Sequence, residues 1–106
     1  MNKNNKNEQQ VIESKHLDLC NQLHLIYLQK NRAYGDSFHK LYKELGIISA
    51  VTQICHKYNR LVNLAKDKNN KINIGDESIM DTLLDMANYC ILTALEIQRE
   101  KDKDNA

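Results

Sequence analysis

The chain contains no proline and only three glycines among its 106 residues. Proline removes a backbone donor and glycine supplies the left-handed turns that end helices, so a sequence poor in both meets few breaks. An excess of one charge is also missing: fifteen basic residues stand against fourteen acidic ones, for a net charge of +1. No long-range field favours a polyanion or an anionic lipid surface, which argues against nucleic acid and membrane as partners. Apolar runs extend for only a few residues and nothing has the form of a signal peptide, so a cytoplasmic protein is expected. There is no Gly-rich phosphate loop, nucleophile elbow, Cys-x-x-Cys pair or catalytic triad. Cys20, Cys55 and Cys90 are odd in number and lie within apolar helical patterns, which suits reduced core thiols better than disulfides.

What is present is helical periodicity. At this length one domain is expected, a helical unit over residues 7–100 between disordered polar tails at 1–6 and 101–106. A first helix from about residue 8 to about 31 carries Ile12, His16, Leu19, Cys20, Leu23, Ile26 and Tyr27 on one stripe. Leu17, Leu25 and Leu28 lie off that stripe, and a helix apolar on more than one side predicts a subunit interface, hence a homo-oligomer of at least two chains. Arg32 to Ser37 reads as a turn, with Asp36 or Ser37 as the N-cap of a short helix on Phe38, Leu41, Tyr42 and Leu45. Gly46 interrupts it. A third helix follows on Ile47, Ile48, Val51, Ile54, Cys55, Tyr58, Leu61, Val62 and Ala65. Asp67 to Gly75 reads as a polar loop in which Ile72 and Ile74 alternate as a short flap, and a last helix runs from an Asp76 or Ser78 cap to about Glu100. The predicted fold is all-α, a small antiparallel bundle of three long helices and one short one.

The chemistry concentrates at the start of the last helix. Glu77, Asp81 and Asp85 fall at i, i+4 and i+8, and three like charges one turn apart repel unless a cation stands opposite. Lys57 and Arg60 lie three apart on the preceding helix and face the ladder if the two helices pack antiparallel. Two readings follow. In one, the charges simply pair between helices. In the other, the carboxylates hold Mg²⁺ and the two cations take phosphate oxygens, because Mg²⁺ prefers hard oxygen ligands and shares them with phosphate. Asn88 continues the acidic face, and Tyr34, Asp36 and Ser37 are candidates to hold the rest of a nucleotide, with Tyr34 stacking a base. His16, Cys20 and His24 share a face of the first helix, but the two histidines stand roughly 12 Å apart along a straight helix. One zinc ion cannot bridge that distance.

The string Lys30-Asn31-Arg32-Ala33-Tyr34-Gly35-Asp36-Ser37-Phe38, followed by Lys57-Tyr58-Asn59-Arg60-Leu61, Asp76-Glu77-Ser78, Asp81-Thr82-Leu83-Leu84-Asp85 and Ala87-Asn88-Tyr89, resembles the nucleotide-modification-associated domain family of phage and bacteria. The resemblance covers roughly residues 20–98 and implies a role in nucleotide handling. More distantly, the layout is similar to MazG-type all-alpha nucleoside triphosphate pyrophosphohydrolases, in which acids on two neighbouring helices hold Mg²⁺. That pattern needs Glu-Glu-x-x-Glu on one helix and Glu-x-x-Asp on the next, whereas this chain offers only Glu44 near the first.

The sequence therefore predicts a protein that binds a phosphorylated nucleotide, linear or cyclic. As a Mg²⁺-dependent pyrophosphohydrolase it would use Glu77, Asp81 and Asp85 as metal ligands and catalytic acids. As a phage-type sponge it would sequester a nucleotide second messenger of host defence without chemistry. A structural oligomer with internally paired charges is the third reading.

Overall fold

The computed structural model describes residues 2–66 and 77–105, with side chains described at 7–66 and 78–105. The expected loop at Asp67 to Gly75, its Ile72 and Ile74 flap, the Asp76 cap and the Glu77 side chain lie outside the described residues.

Four helices account for almost all of what is described: α1 (Asn2–Tyr34), α2 (Ser37–Leu45), α3 (Ile47–Lys66) and α4 (Glu77–Asp104). The fold is all-α, three long helices and one short, and no strand occurs among the described residues. Both outer helices run past the ends of their apolar stripes. A stripe records packing, whereas a helix continues until something stops it: α1 runs on to Gly35, and α4 meets no proline or glycine up to Asp104. Lys101 and Lys103 in the last turn of α4 further suit the negative end of the helix dipole.

The chain divides into two compact units, Met1–Gly35 and Asp36–Ala106. The first is α1. It ends where Gly35 turns left-handed at φ 62° and its N–H donates to the Asn31 carbonyl at 2.9 Å, the capping geometry glycine permits without a Cβ penalty. Along α1, Val11, Ile12, Leu17 and Leu25 are each more than half exposed. His24 and Tyr27 stack with ring centroids 6.1 Å apart, and Cys20 Sγ lies 3.9 Å from His16 Nδ1.

In the second unit, Asp36 holds the N-cap position of α2 at φ 60° without a side-chain hydrogen bond. An N-cap side chain reaches the first-turn amides from extended backbone; the left-handed turn denies Asp36 that approach. Gly46 then does two jobs. Its N–H closes α2 on the Tyr42 carbonyl at 2.8 Å, and its own carbonyl accepts the Ser49 N–H at 3.1 Å and Ser49 Oγ at 2.9 Å to open α3. Its backbone, φ 78° and ψ −167°, belongs to a region only glycine occupies cheaply.

Helix α3 packs antiparallel to α4: Lys57 meets Asp85, and one turn further along α3 Arg60 meets Thr82, one turn back along α4. Helix α2 meets α4 through Phe38, stacked on Tyr89 at 6.0 Å, and through His39, against Glu96. Among the described residues, the buried apolar ones are Tyr42, Ala50 and Leu84. Ile47, Ile48, Val51 and Tyr58, placed on the core stripe of α3 by periodicity, are exposed instead. Cys20, Cys55 and Cys90 are free, as expected, but exposed rather than core thiols. Periodicity marks these apolar positions, and the described residues leave them uncovered.

Candidate functional site

The antiparallel pairing of α3 and α4 brings the predicted cations to the predicted acidic helix. Lys57 Nζ lies 3.2 Å from Asp85 Oδ2, both side chains about a quarter exposed or less. Arg60 does not meet a carboxylate among the described residues. Its Nε donates to Thr82 Oγ1 at 3.2 Å, and the Thr82 hydroxyl donates in turn to the Ser78 carbonyl at 2.6 Å. Thr82 is almost fully buried, so this relay is fixed on the α4 backbone. A guanidinium held through Nε keeps both Nη groups free to form a fork, and the Arg60 residue is exposed.

The acidic ladder splits. Asp85 faces α3, whereas Asp81 is exposed, because four residues at 100° each overshoot a full turn by about 40°. The stripe that actually meets α2 and α3 runs through Thr82, Asp85, Tyr89 and Glu96, at steps of three, four and seven. Asn88 is half-buried one residue off it. Among the described residues, no three His, Cys, Asp or Glu side chains converge as a metal cage. Asp36 is half-buried and Ser37 exposed at the start of α2; Tyr34, at the end of α1 in the first unit, is 70% exposed.

A second constellation lies at the other end of α4. Glu96 is 5% exposed, yet it is a carboxylate, and burying an ionised acid costs several kcal/mol unless partners repay it. Two do. His39 Nδ1 lies 2.7 Å from Oε2 and 2.8 Å from Oε1, and Arg99 Nη1 donates to Oε1 at 3.2 Å. Beside them Tyr42 donates to Glu100. Loss of hydration on burial, then the charge of Glu100 and this hydrogen bond, then the charge of Glu96, push the Tyr42 phenol above its usual range. These groups, with Lys43, Gly46, Asp102 and Lys103, line an open groove of about 750 Å³.

Sequence reasoning missed this groove. His39 was hidden in a short helix read for its apolar residues, and Glu96 sits seven residues beyond Tyr89 on the packed face of α4. The available signal was the mismatch itself: a carboxylate in an apolar register must find a partner when buried.

The chain matches the family described as nucleotide modification associated domain 1 over residues 30–97, well over half its length, and belongs to it. The match spans the Lys57 and Arg60 turn of α3, the acidic turn of α4, His39 and Glu96. No curated protein and no solved structure matches the chain.

Proposed function

We propose that this member of the nucleotide modification associated domain 1 family binds a phosphorylated nucleotide on the α3–α4 face, with Arg60 as the phosphate-binding fork and Lys57 as a second point charge. One observation carries the reading: the Arg60 guanidinium is anchored through Nε to Thr82, which is itself anchored to the Ser78 carbonyl. The fork is thereby oriented before a ligand arrives, and bidentate recognition loses less entropy when its geometry is preset. A phosphate there would compete with Asp85 for Lys57, and an exposed Asp81 offers a hydroxyl-accepting carboxylate nearby along α4.

One form of the reading is binding without hydrolysis, as in a sponge that sequesters a nucleotide messenger. Asp85 is engaged by Lys57 and Asp81 faces solvent, so these two do not form a metal cage with any third described ligand. The hydrolase reading, with its distant MazG-type likeness, would have Asp81, Asp85 and Glu77 share Mg²⁺ with the ligand's phosphates, since Mg²⁺ commonly takes only one or two protein carboxylates. In either case the protein works in the cytoplasm as a homo-oligomer, an assembly supported by the exposed apolar residues of α1 and α3. No helix among the described residues is long and apolar enough to cross a membrane.

A thermal-shift screen of linear nucleotides and cyclic dinucleotides, each with Mg²⁺ and with EDTA, tests the proposal. A ligand at 100 times its dissociation constant stabilises by about 2.7 kcal/mol. Stabilisation in EDTA, with intact ligand recovered after heating, supports the sponge. Stabilisation that needs Mg²⁺, with altered ligand recovered, supports the hydrolase.

A further inference from the structure

Helix α1 makes up a compact unit by itself, and every side chain on it from residue 7 to residue 22 is exposed. A single helix has no second element within that unit to pack on, yet its exposed part carries an apolar stripe through Ile12 and Leu19. His16 and Cys20 lie on the same stripe, one turn apart. Both residue types bond transition metals, the imidazole through either ring nitrogen and the thiol as its thiolate.

The structure selects between two histidines. Cys20 has His16 one turn before it and His24 one turn after it. The His24 ring lies against Tyr27 at 6.1 Å between centroids, whereas Cys20 Sγ is 3.9 Å from His16 Nδ1. Zn–S bonds of about 2.3 Å and Zn–N bonds of about 2.0–2.1 Å, set at the tetrahedral angle, place two ligand atoms about 3.6 Å apart. The two donors therefore stand within about 0.3 Å of a tetrahedron edge before any metal arrives. Their chemistry chooses the ion: sulfur and imidazole nitrogen suit zinc, whereas Mg²⁺ and Ca²⁺ take oxygen.

Two ligands leave two corners of the tetrahedron open. Among the described residues, no third His, Cys, Asp or Glu joins the pair, and a structural zinc site is closed by four protein ligands. A two-fold axis beside the pair sets the same two residues of a second copy opposite them, because an isologous contact repeats each residue across the axis. The four donors are then two sulfurs and two nitrogens, and the same contact covers Ile12 and Leu19.

We propose that His16 and Cys20 are half of a zinc site that a second copy of the chain completes, one metal ion tying two α1 helices together. Each thiol loses its proton as its sulfur bonds to the metal, so one Zn²⁺ releases two protons and no electron moves. The site rests on the homo-oligomer reading, gives it named contact residues, and is independent of the Arg60 fork.

The test titrates the full chain, kept reduced by a phosphine, with Co²⁺ as the spectroscopic stand-in for Zn²⁺. Tetrahedral visible bands and a sulfur-to-cobalt band should saturate at one metal per two chains, and Zn²⁺ should displace the cobalt. Cys20→Ser should abolish the sulfur band and His16→Ala should weaken binding about tenfold or more, at least the effect of losing an outer-shell partner. Both residues are exposed, so helix content should hold. Cys55→Ser with Cys90→Ser, which removes the other two exposed thiols, should bind as wild type does. In sedimentation, Zn²⁺ should raise the dimer fraction over that in EDTA for wild type and not for Cys20→Ser. A dimer that forms equally in EDTA and takes up no cobalt keeps the assembly and overturns the metal site. A monomer under both conditions that binds no metal overturns the assembly with it. Cobalt binding that survives Cys20→Ser, or saturation at one metal per chain, would also overturn the proposal.

Discussion

Glu96 accepts from His39 through both of its carboxylate oxygens, at 2.7 and 2.8 Å, and this one buried contact ties the short helix α2 to the long helix α4. Glu96→Ala leaves the Nδ1 donor of His39 in the interface with no acceptor. The expected loss is about 1–3 kcal/mol, the usual cost of stranding a buried polar group, read as a lower urea midpoint. The double variant His39→Leu with Glu96→Leu should recover most of that loss, since removing both partners removes the stranded donor as well.

Lys57 and Asp85 form a partly exposed pair, so its contribution should be small. A double-mutant cycle with Lys57→Met and Asp85→Asn should give a coupling of about 0.5–1 kcal/mol. Raising the salt to 1 M should reduce it, because screening acts on pairs that solvent reaches. A coupling of several kcal/mol would mean that the pair is sealed from water.

Tyr42 gives an alkaline signature. Its folded pKa lies above the ordinary tyrosine value of 10.0, so the folded state keeps a proton that the unfolded state has begun to release. Its contribution to stability is complete below pH 10 and is lost as pH rises through the folded pKa. Chemical denaturation at a series of pH values should show stability falling above pH 10, with a shallower fall in Tyr42→Phe.

Gly46→Ala should destabilise by about 1–3 kcal/mol through the backbone alone. A Cβ at Gly46 would meet nothing within 4 Å, and its φ is 78°. Equal melting temperatures for Gly46→Ala and wild type would show that the α2–α3 junction relaxes to another conformation.

How much was legible in advance follows from which signals are local. Helices and their breaks at Gly35 and Gly46 are written in the chain, because proline and glycine act on their own backbone. The approach of Lys57 to Asp85 was also readable, as an antiparallel pairing of the two helices places those turns side by side. The partner of Arg60 was not: a ladder drawn at i, i+4 favours Asp81, while the 40° overshoot per step turns Thr82 toward α3 instead. His39 and Glu96 lie 57 residues apart, and nothing local to either names the other. The core was overestimated, since periodicity marks every apolar position but not whether one chain can cover it.

The central claim is that Arg60, held by Thr82, is the phosphate-binding fork of a nucleotide site. The most direct measurement is calorimetric titration, in EDTA, of wild type and Arg60→Ala with the nucleotide that gives the largest thermal shift. The account predicts measurable binding by wild type and affinity weakened about tenfold or more in the variant, the worth of a charge-assisted hydrogen bond, with helix content unchanged. Equal affinity in the two proteins would contradict it.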